Sequence, residues 1–419
     1  MVTLSGSPFA NFRFAGLSRA LAAVIIAALP LVAGAQAGQL DTSFGTNGIF
    51  ANNFGQTSLI FATSVALQSN GQIIVGGEAG NPGIIVRLNA NGTIDTSFGA
   101  NGVVSVRFRD IDNFTVGVAV QTDGKIVVAG TGVPGGGQLL RLNTDGSMDT
   151  SFGNNGSIFL NASPTVLLLQ PDGKIIISGA VGSNGQRVLM RYTTAGQIDT
   201  GFGSGGSAPM VSNVLAAALQ PDGKILVGSG PFFVPATSSG TLVRYNADGS
   251  IDTIFGVQGQ VSDLVGPAGI GVQSNGQIVT AGTVTSGVSL SGDTTGFGLT
   301  SYFPATGFPI FLFGTHGGAI TPFPNLPMTG ASSLAIQTNN FIVAAGTAGT
   351  SPSSSEFGLA RYAPNGQLDN SFGTGGLVTT SFGNGTASIA AIVLQGDGKI
   401  VAVGQASNSG LVVARYLGH

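Results

Sequence analysis

One phrase constrains what this chain can fold into more than any other feature. LDTSFGTNG begins at Leu40, IDTSFGANG at Ile94 and MDTSFGNNG at Met148, and the Asp of the phrase stands at Asp41, Asp95, Asp149, Asp199, Asp252 and Asp369. A seventh copy is degraded: FPIFLFG, residues 308 to 314, keeps Phe313 and Gly314 in register and has Ile310 where the Asp belongs. Successive copies then lie 54, 54, 50, 53, 58 and 59 residues apart. Self-similarity at a near-constant period means an array of one supersecondary unit.

Two further phrases recur in fixed order between the copies. SNGQIIV begins at Ser69, TDGKIVV at Thr122, PDGKIII at Pro171, PDGKILV at Pro221, SNGQIVT at Ser274, TNNFIVA at Thr338 and GDGKIVA at Gly396. Asn-Gly or Asp-Gly between two β-rich runs is a strong hairpin signal and predicts a type I′ turn, with positive φ at both central residues. The third phrase ends a strand: Arg87-Leu88, Arg141-Leu142, Arg191-Tyr192, Arg244-Tyr245, Ser301-Tyr302, Arg361-Tyr362 and Arg415-Tyr416. Each unit reads as four short strands, in the second unit TVGVAVQ, KIVVAG, QLLRLN and the strand after the Asp phrase. No helical period persists beyond the first residues.

Four strands repeated every 40 to 60 residues are the signature of a propeller blade. The expected fold is therefore all-β, a seven-bladed β-propeller over residues 38 to 419. Its ends predict how it closes. A fourth-strand segment, GIFANNF at Gly48, precedes the first unit, and the last unit ends on its third strand at Tyr416, so the N-terminal strand supplies the outer strand of the last blade in a three-plus-one seam. Closure of this kind leaves no open sheet edge at the termini. Glycine supplies 69 of 419 residues, roughly twice its usual share, as many tight turns require.

The pattern DGKIVVAG, then ARY, then NGQLDNSFGTGG resembles the delta-60 repeat family of secreted or surface-displayed bacterial proteins, from Leu40 to Tyr416. The resemblance implies a propeller-like array and brings no activity or catalytic residues with it. The degraded copy departs from the pattern, having lost its Asp, its Lys-type hairpin and its Arg.

Residues 1 to 37 read as a signal peptide: Arg13 and Arg19 precede the apolar run Leu21 to Ala35, and Ala33-Gly34-Ala35 and Ala35-Gln36-Ala37 offer cleavage frames. The run is short for a spanning helix and carries Pro30; an uncleaved anchor is the alternative. With no cysteine there is neither lipidation nor a disulfide. The expected location is periplasmic or extracellular, with no membrane span after cleavage. Removing the leader leaves 13 basic against 18 acidic residues, scattered, and nucleic acid is excluded as a partner.

Is the Asp phrase chemistry or a building joint? RLNTDGSMDTSF at Arg141 resembles a calcium loop in Asn143, Asp145, Gly146 and Asp149, but Arg141 takes the first ligand position and Phe152 the twelfth. The expectation is no cofactor, with calcium at these turns as the alternative. The structural reading has a better mechanism. Each Asp accepts backbone N–H bonds in an Asx-type turn, each Phe (Phe44, Phe98, Phe152, Phe202, Phe255, Phe313, Phe372) fills the space between blades, and each Gly takes a conformation closed to other residues. Burying one such Phe contributes about 1.5 to 3 kcal/mol. The Lys and Arg of the other phrases are expected at blade edges and turns.

Strands alternate in direction, so first-to-second and third-to-fourth connections emerge on one face and carry all the repeated phrases. The other face collects the variation, including PFFVPATSSG near Pro231, TVTSGVSLSGDTTG near Thr283 and TAGTSPSSSE near Thr347. Loops on a rigid scaffold are where recognition sits. The expected ligand-binding residues are Arg107, Arg109, Asp110 and Asp112 in RFRDIDNF, the pair Phe232 and Phe233, and Glu78, Asp293 and Glu356. Catalysis is not expected: only two Glu are present, both read as loop residues, Trp and Cys are absent, and His316 stands alone. The reading is a monomeric binding module for a surface glycan or an envelope or protein partner. A structural envelope role, or a hydrolase or lyase on extracellular polysaccharide, is the alternative.

Overall fold

The structure, a computed structural model, describes residues 36–55, 60–80, 82–108, 112–133, 136–181, 186–210, 214–230, 240–263, 265–286 and 294–419. Nearly all of the leader lies outside them, as do Arg109, Asp110, Phe232, Phe233, Asp293 and the side chain of Asp112.

Among the described residues, 28 strands form seven four-stranded antiparallel sheets. The second blade is typical, its strands Asp112–Val120, Ile126–Val133, Gly137–Leu142 and Ser157–Leu160 lying side by side in chain order. First strands of neighbouring blades pack on one another all the way round, Ala387–Leu394 meeting Ile60–Leu67, so the ring is closed with first strands innermost. This is the expected seven-bladed propeller.

Third strands such as Gly137–Leu142 are buried along their whole length because each blade is covered on both faces, and Gln138 and Arg141 are buried there with the apolar residues. Each core is shared by two blades: Ile74, Ile85 and Phe98 of the first pack with Ile126, Val128 and Leu140 of the second. The seam follows the same rule. Ile49–Asn52 pairs antiparallel with Gly410–Tyr416, Ile49 opposite Ala414 and Asn52 opposite Leu411.

The two faces differ in their connections. Five residues join first to second strands in every blade, as between Leu67 and Ile73, and fourteen join third to fourth in five of the six blades uninterrupted by the seam, with fifteen in the fifth. On the opposite face, second-to-third connections run from 2 residues to 10 and fourth-to-first connections from 1 to 7.

Three expectations are corrected. The hairpin turn is not type I′: only its glycine has positive φ (Gly124, 84°), Gly124 N–H donates to Gln121 O, and the Asp123 carboxylate accepts the Lys125 N–H, which fixes a type I turn followed by a left-handed glycine. TAGTSPSSSE is mostly strand, since Ile342–Ser351 and Ser354–Tyr362 leave a two-residue turn. Glu356 is therefore a strand residue, as is Glu78 in Ile73–Ala79. Threonine-rich hairpins run beyond the blade body here because Thr suits an extended, half-buried strand.

A chain lacking residues 36–52 should expose the edge of Gly410–Tyr416 and strand Arg415 without its acid. We expect a loss of at least the about 3 to 5 kcal/mol of a broken buried ion pair and concentration-dependent light scattering on heating, both read in thermal melts against the intact chain.

Candidate functional site

On the constant face the three phrases converge into one joint. In the second blade, Arg141 Nε donates to Asp149 Oδ2 at 2.6 Å, and Lys125 from the hairpin donates to the same oxygen at 2.9 Å. Asp149 Oδ1 accepts the Ser151 N–H at 3.1 Å and its hydroxyl at 2.6 Å, closing an Asx turn. The guanidinium lies 4.6 Å over the Phe152 ring and donates to Thr194 O of the next blade. The joint recurs as Arg87 with Asp95, Arg191 with Asp199, Arg244 with Asp252 and Arg361 with Asp369, and across the seam as Arg415 with Asp41, all at 2.7 to 2.9 Å. Every Phe of the phrase is buried. Phe98 touches Gly146 of the next blade, where a Cβ would sit 2.9 Å from the ring.

Sequence reasoning placed the Asp, Phe and Gly correctly and missed the Arg–Asp pairing. The signal was present: Arg and Asp stand eight residues apart in five units, and the fifth blade loses both, to Ser301 and Ile310. A Gln following each first strand, buried in five of the seven blades, was also missed. Gln68 Nε2 donates to Gly124 O of the next blade at 3.2 Å, and Gln337 Nε2 to Gly418 O at 3.3 Å.

The joint does not fit calcium. Both Asp149 oxygens already accept bonds from Arg141, Lys125 and Ser151, and the exposed Asp145 carboxylate binds the Ser147 N–H and hydroxyl. Burial would raise the carboxyl of Asp41, but the Ser43 hydroxyl, Lys399 and Arg415 outweigh it and hold it at about 2.

The variable face brings only some of the expected residues together. Glu78 and the exposed Arg107 lie at that end of the first blade, Glu78 paired across the strands with Phe61, and Asp112 opens the adjoining blade. Glu356 is elsewhere, on the sixth blade, in a cleft of 100 Å³ with Thr350, Ser354, Ser355 and Ser381. Burial raises its carboxyl, offset in part by the Thr379 hydroxyl.

Five segments match the family model described as a domain of unknown function (DUF5122) beta-propeller: residues 68–98, 121–152, 170–202, 220–255 and 337–372. Each match starts on the Gln of the joint and ends on its Phe. The chain is a β-propeller repeat protein. The two unmatched units of this propeller are the one split by the seam and the one that has lost its ion pair. Among solved structures, the propeller is similar to virginiamycin B lyase from Staphylococcus aureus (13% identity over 88% of this chain and 98% of that one, TM-score 0.49). It is also similar to YCF48 from Cyanidioschyzon merolae (12%, 88% and 98%, 0.49) and to Drosophila Semaphorin 1b (10%, 92% and 88%, 0.47). At these values none of the three bears on what this protein does. No curated protein matches the sequence.

One buried acid of the propeller lies outside the joints. Asp263, ending the strand Gln260–Asp263 of the fourth blade, is fully buried; its Oδ1 accepts the Val265 N–H at 2.8 Å, and Thr280 and Tyr302 of the fifth blade face it. Neighbouring interfaces place a threonine there: Tyr362 donates to Thr321 at 2.8 Å, and Tyr416 meets Thr380 at the same distance. Burial pushes the Asp263 carboxyl up to about 6, against the bond from the Val265 N–H and the nearby Thr280 and Tyr302 hydroxyls, which pull it down. No salt bridge reaches it among the described residues.

Two predictions follow from these groups. Arg141→Ala should cost about 3 to 5 kcal/mol, because it leaves Asp149 buried without its guanidinium; Arg141→Ser with Asp149→Ile, the pair found in the fifth blade, should cost less than either single change in a denaturant double-mutant cycle. For pH, the joint acids have folded pKa values below 3.8, so their contribution is lost as pH falls. Asp263 has the opposite sign: its contribution is complete below pH 3.8 and is lost as pH rises through about 6. Melting temperature should thus peak between those values and decline toward pH 8 by the equivalent of roughly 2 to 3 kcal/mol, a decline that Asp263→Asn should flatten.

Proposed function

We propose that this propeller is a secreted, non-catalytic binding module of the delta-60 repeat type that engages a surface glycan or a protein of the cell envelope on its variable face. The observation that carries the reading is the asymmetry of the connections. On one face their lengths are constant and the charged groups are spent on joints; on the other they run from 1 residue to 10. A rigid ring whose connection lengths vary chiefly there suits recognition.

Two features support the parts of this reading. The seven innermost strands carry Gly, Ser, Thr, one Asn and apolar residues with Asp112 as their only titratable side chain, so the ring wall is poorly equipped for proton transfer. The Glu356 cleft offers a carboxylate beside several hydroxyls, which suits a ligand that both donates and accepts hydrogen bonds. The Leu21 to Ala35 run supports export, and calcium is given no part.

The test is a thermal-shift series of the purified protein against oligosaccharides, cell-wall fragments, and calcium with a chelator control. A shift with one saccharide that Glu356→Ala or Arg107→Ala abolishes is the expected result. A shift with calcium alone would sink the reading, and no shift with any component would remove the glycan and leave an envelope protein to be sought by pull-down.

A further inference from the structure

The degraded unit has exchanged its surface. In the first, second and fourth blades the turn between third and fourth strands is closed by polar pairs, Asn89 with Thr93 at 3.0 Å, Asn143 with Ser147 at 2.9 Å and Asn246 with Ser250 at 3.0 Å. The fifth blade makes the same backbone bond, Phe303 N–H to Phe308 O at 2.9 Å, but with two phenylalanines at those positions. Further on, where Asp149, Thr150 and Ser151 stand in the second blade, the fifth has Ile310, Phe311 and Leu312. The loss of the ion pair explains Ile310. It does not explain Phe311 and Leu312, because those positions face solvent in every unit described.

The fourth blade continues the patch. Its phrase reads DTIFGV, with Ile254 where the second blade has Ser151 and Val257 where it has Asn154. The Gly256 N–H donates to Thr306 O at 2.6 Å and Arg244 binds the carbonyls of Pro304 and Ala305, which sets Ile254 and Val257 against the Phe303–Phe308 turn. Ile254, Val257, Phe303, Phe308, Phe311 and Leu312 are 47 to 86% exposed. With full side-chain areas of ~150–250 Å², they present on the order of 800 Å² of apolar surface. That exceeds the roughly 300 to 600 Å² of a typical monomer's largest patch and matches the about 800 Å² that each partner contributes to a standard interface.

We propose that this patch is a homodimer interface, two copies of the chain meeting fourth-and-fifth blade to fourth-and-fifth blade about a two-fold axis. A two-fold contact needs a surface complementary to itself, and six uncharged apolar side chains meet that condition, whereas a charged partner would find nothing among them to pair with. The dimer uses the constant face and leaves the variable face open. It departs from the monomer expected from the sequence.

Sedimentation velocity of the full chain between about 1 and about 100 µM should show a dimer that dissociates on dilution, in the micromolar range typical of such an area. Phe311→Thr with Leu312→Ser restores the residues that other copies carry; Ile254→Ser does so from the fourth blade. Both variants should fold, by unchanged circular dichroism, and sediment as monomers at concentrations where the parent is dimeric. A parent that is monomeric at the highest concentration overturns the proposal, as does one that instead floats with phosphatidylcholine vesicles, which would make the occupant lipid. A dimer that survives both variants overturns it too.

Discussion

The ion pair between a third-strand arginine and the aspartate eight residues on is the contact on which the ring's organisation depends. A propeller has no single core. Seven thin apolar layers each lie between two blades, and apolar burial is non-directional, so it does not fix which part of one blade abuts which part of the next. The arginine does. Its donors are divided between its own Asp, as Arg141 with Asp149, and a carbonyl of the following blade, Thr194, while its flat face covers Phe152. Burying two charges is costly, and it is repaid only when the geometry is good and the remaining hydrogen-bonding capacity is used. Lys125 and the Ser151 hydroxyl use it.

The same joint closes the ring. Arg415 and Asp41 are 374 residues apart and make the contact that five other blades make within eight. The N-terminal strand thus brings with it the acid that the last arginine lacks. The fifth blade shows what survives without the pair: Phe313 stays buried and the Gly314 N–H still reaches Asn365 O of the next blade. Loss of both partners leaves no stranded charge, and so an apolar interface with its backbone bonds persists there.

Legibility in the sequence followed how local each cause was. The period, the four strands and the turn roles of Asp95 and Gly99 rest on patterns set within a few residues and were readable; the seam, a pairing across the whole chain, was readable because the two ends together supply one blade's strands. The hairpin was readable as a hairpin but not as its type, because the Asp123 side chain holding the Lys125 N–H selects a type I turn over type I′. Glu78 and Glu356 were assigned to loops because strand ends rich in Thr, Ser and Gly carry no alternating pattern. The Arg–Asp pairing needed a fact that composition does not supply, namely that the connection after the third strand folds back along it to bring Asp95 beside Arg87. Asp263 was missed for a related reason. Nothing local marks one aspartate in QVSD as the residue that the next blade's Tyr302 will cover.

The departures of the fifth blade share a direction that drift alone does not supply. Inside, Thr280 and Thr300 lie opposite each other where Val128 and Leu140 do in the second blade, and Asp263 faces them from the fourth. Outside, Phe311 and Leu312 replace hydroxyl residues. A unit that was merely decaying would lose its repeated anchors along with its polar surface, yet Phe313 and Gly314 remain, and Gly314 keeps its left-handed φ of 58°. The scaffold positions are held while polarity is moved inward and apolar surface outward. That combination costs stability in an isolated ring, because buried hydroxyls and exposed aromatics are each unfavourable. The exposed aromatics cease to be unfavourable once another surface covers them, and covering them leaves the fifth blade's place in the ring unchanged.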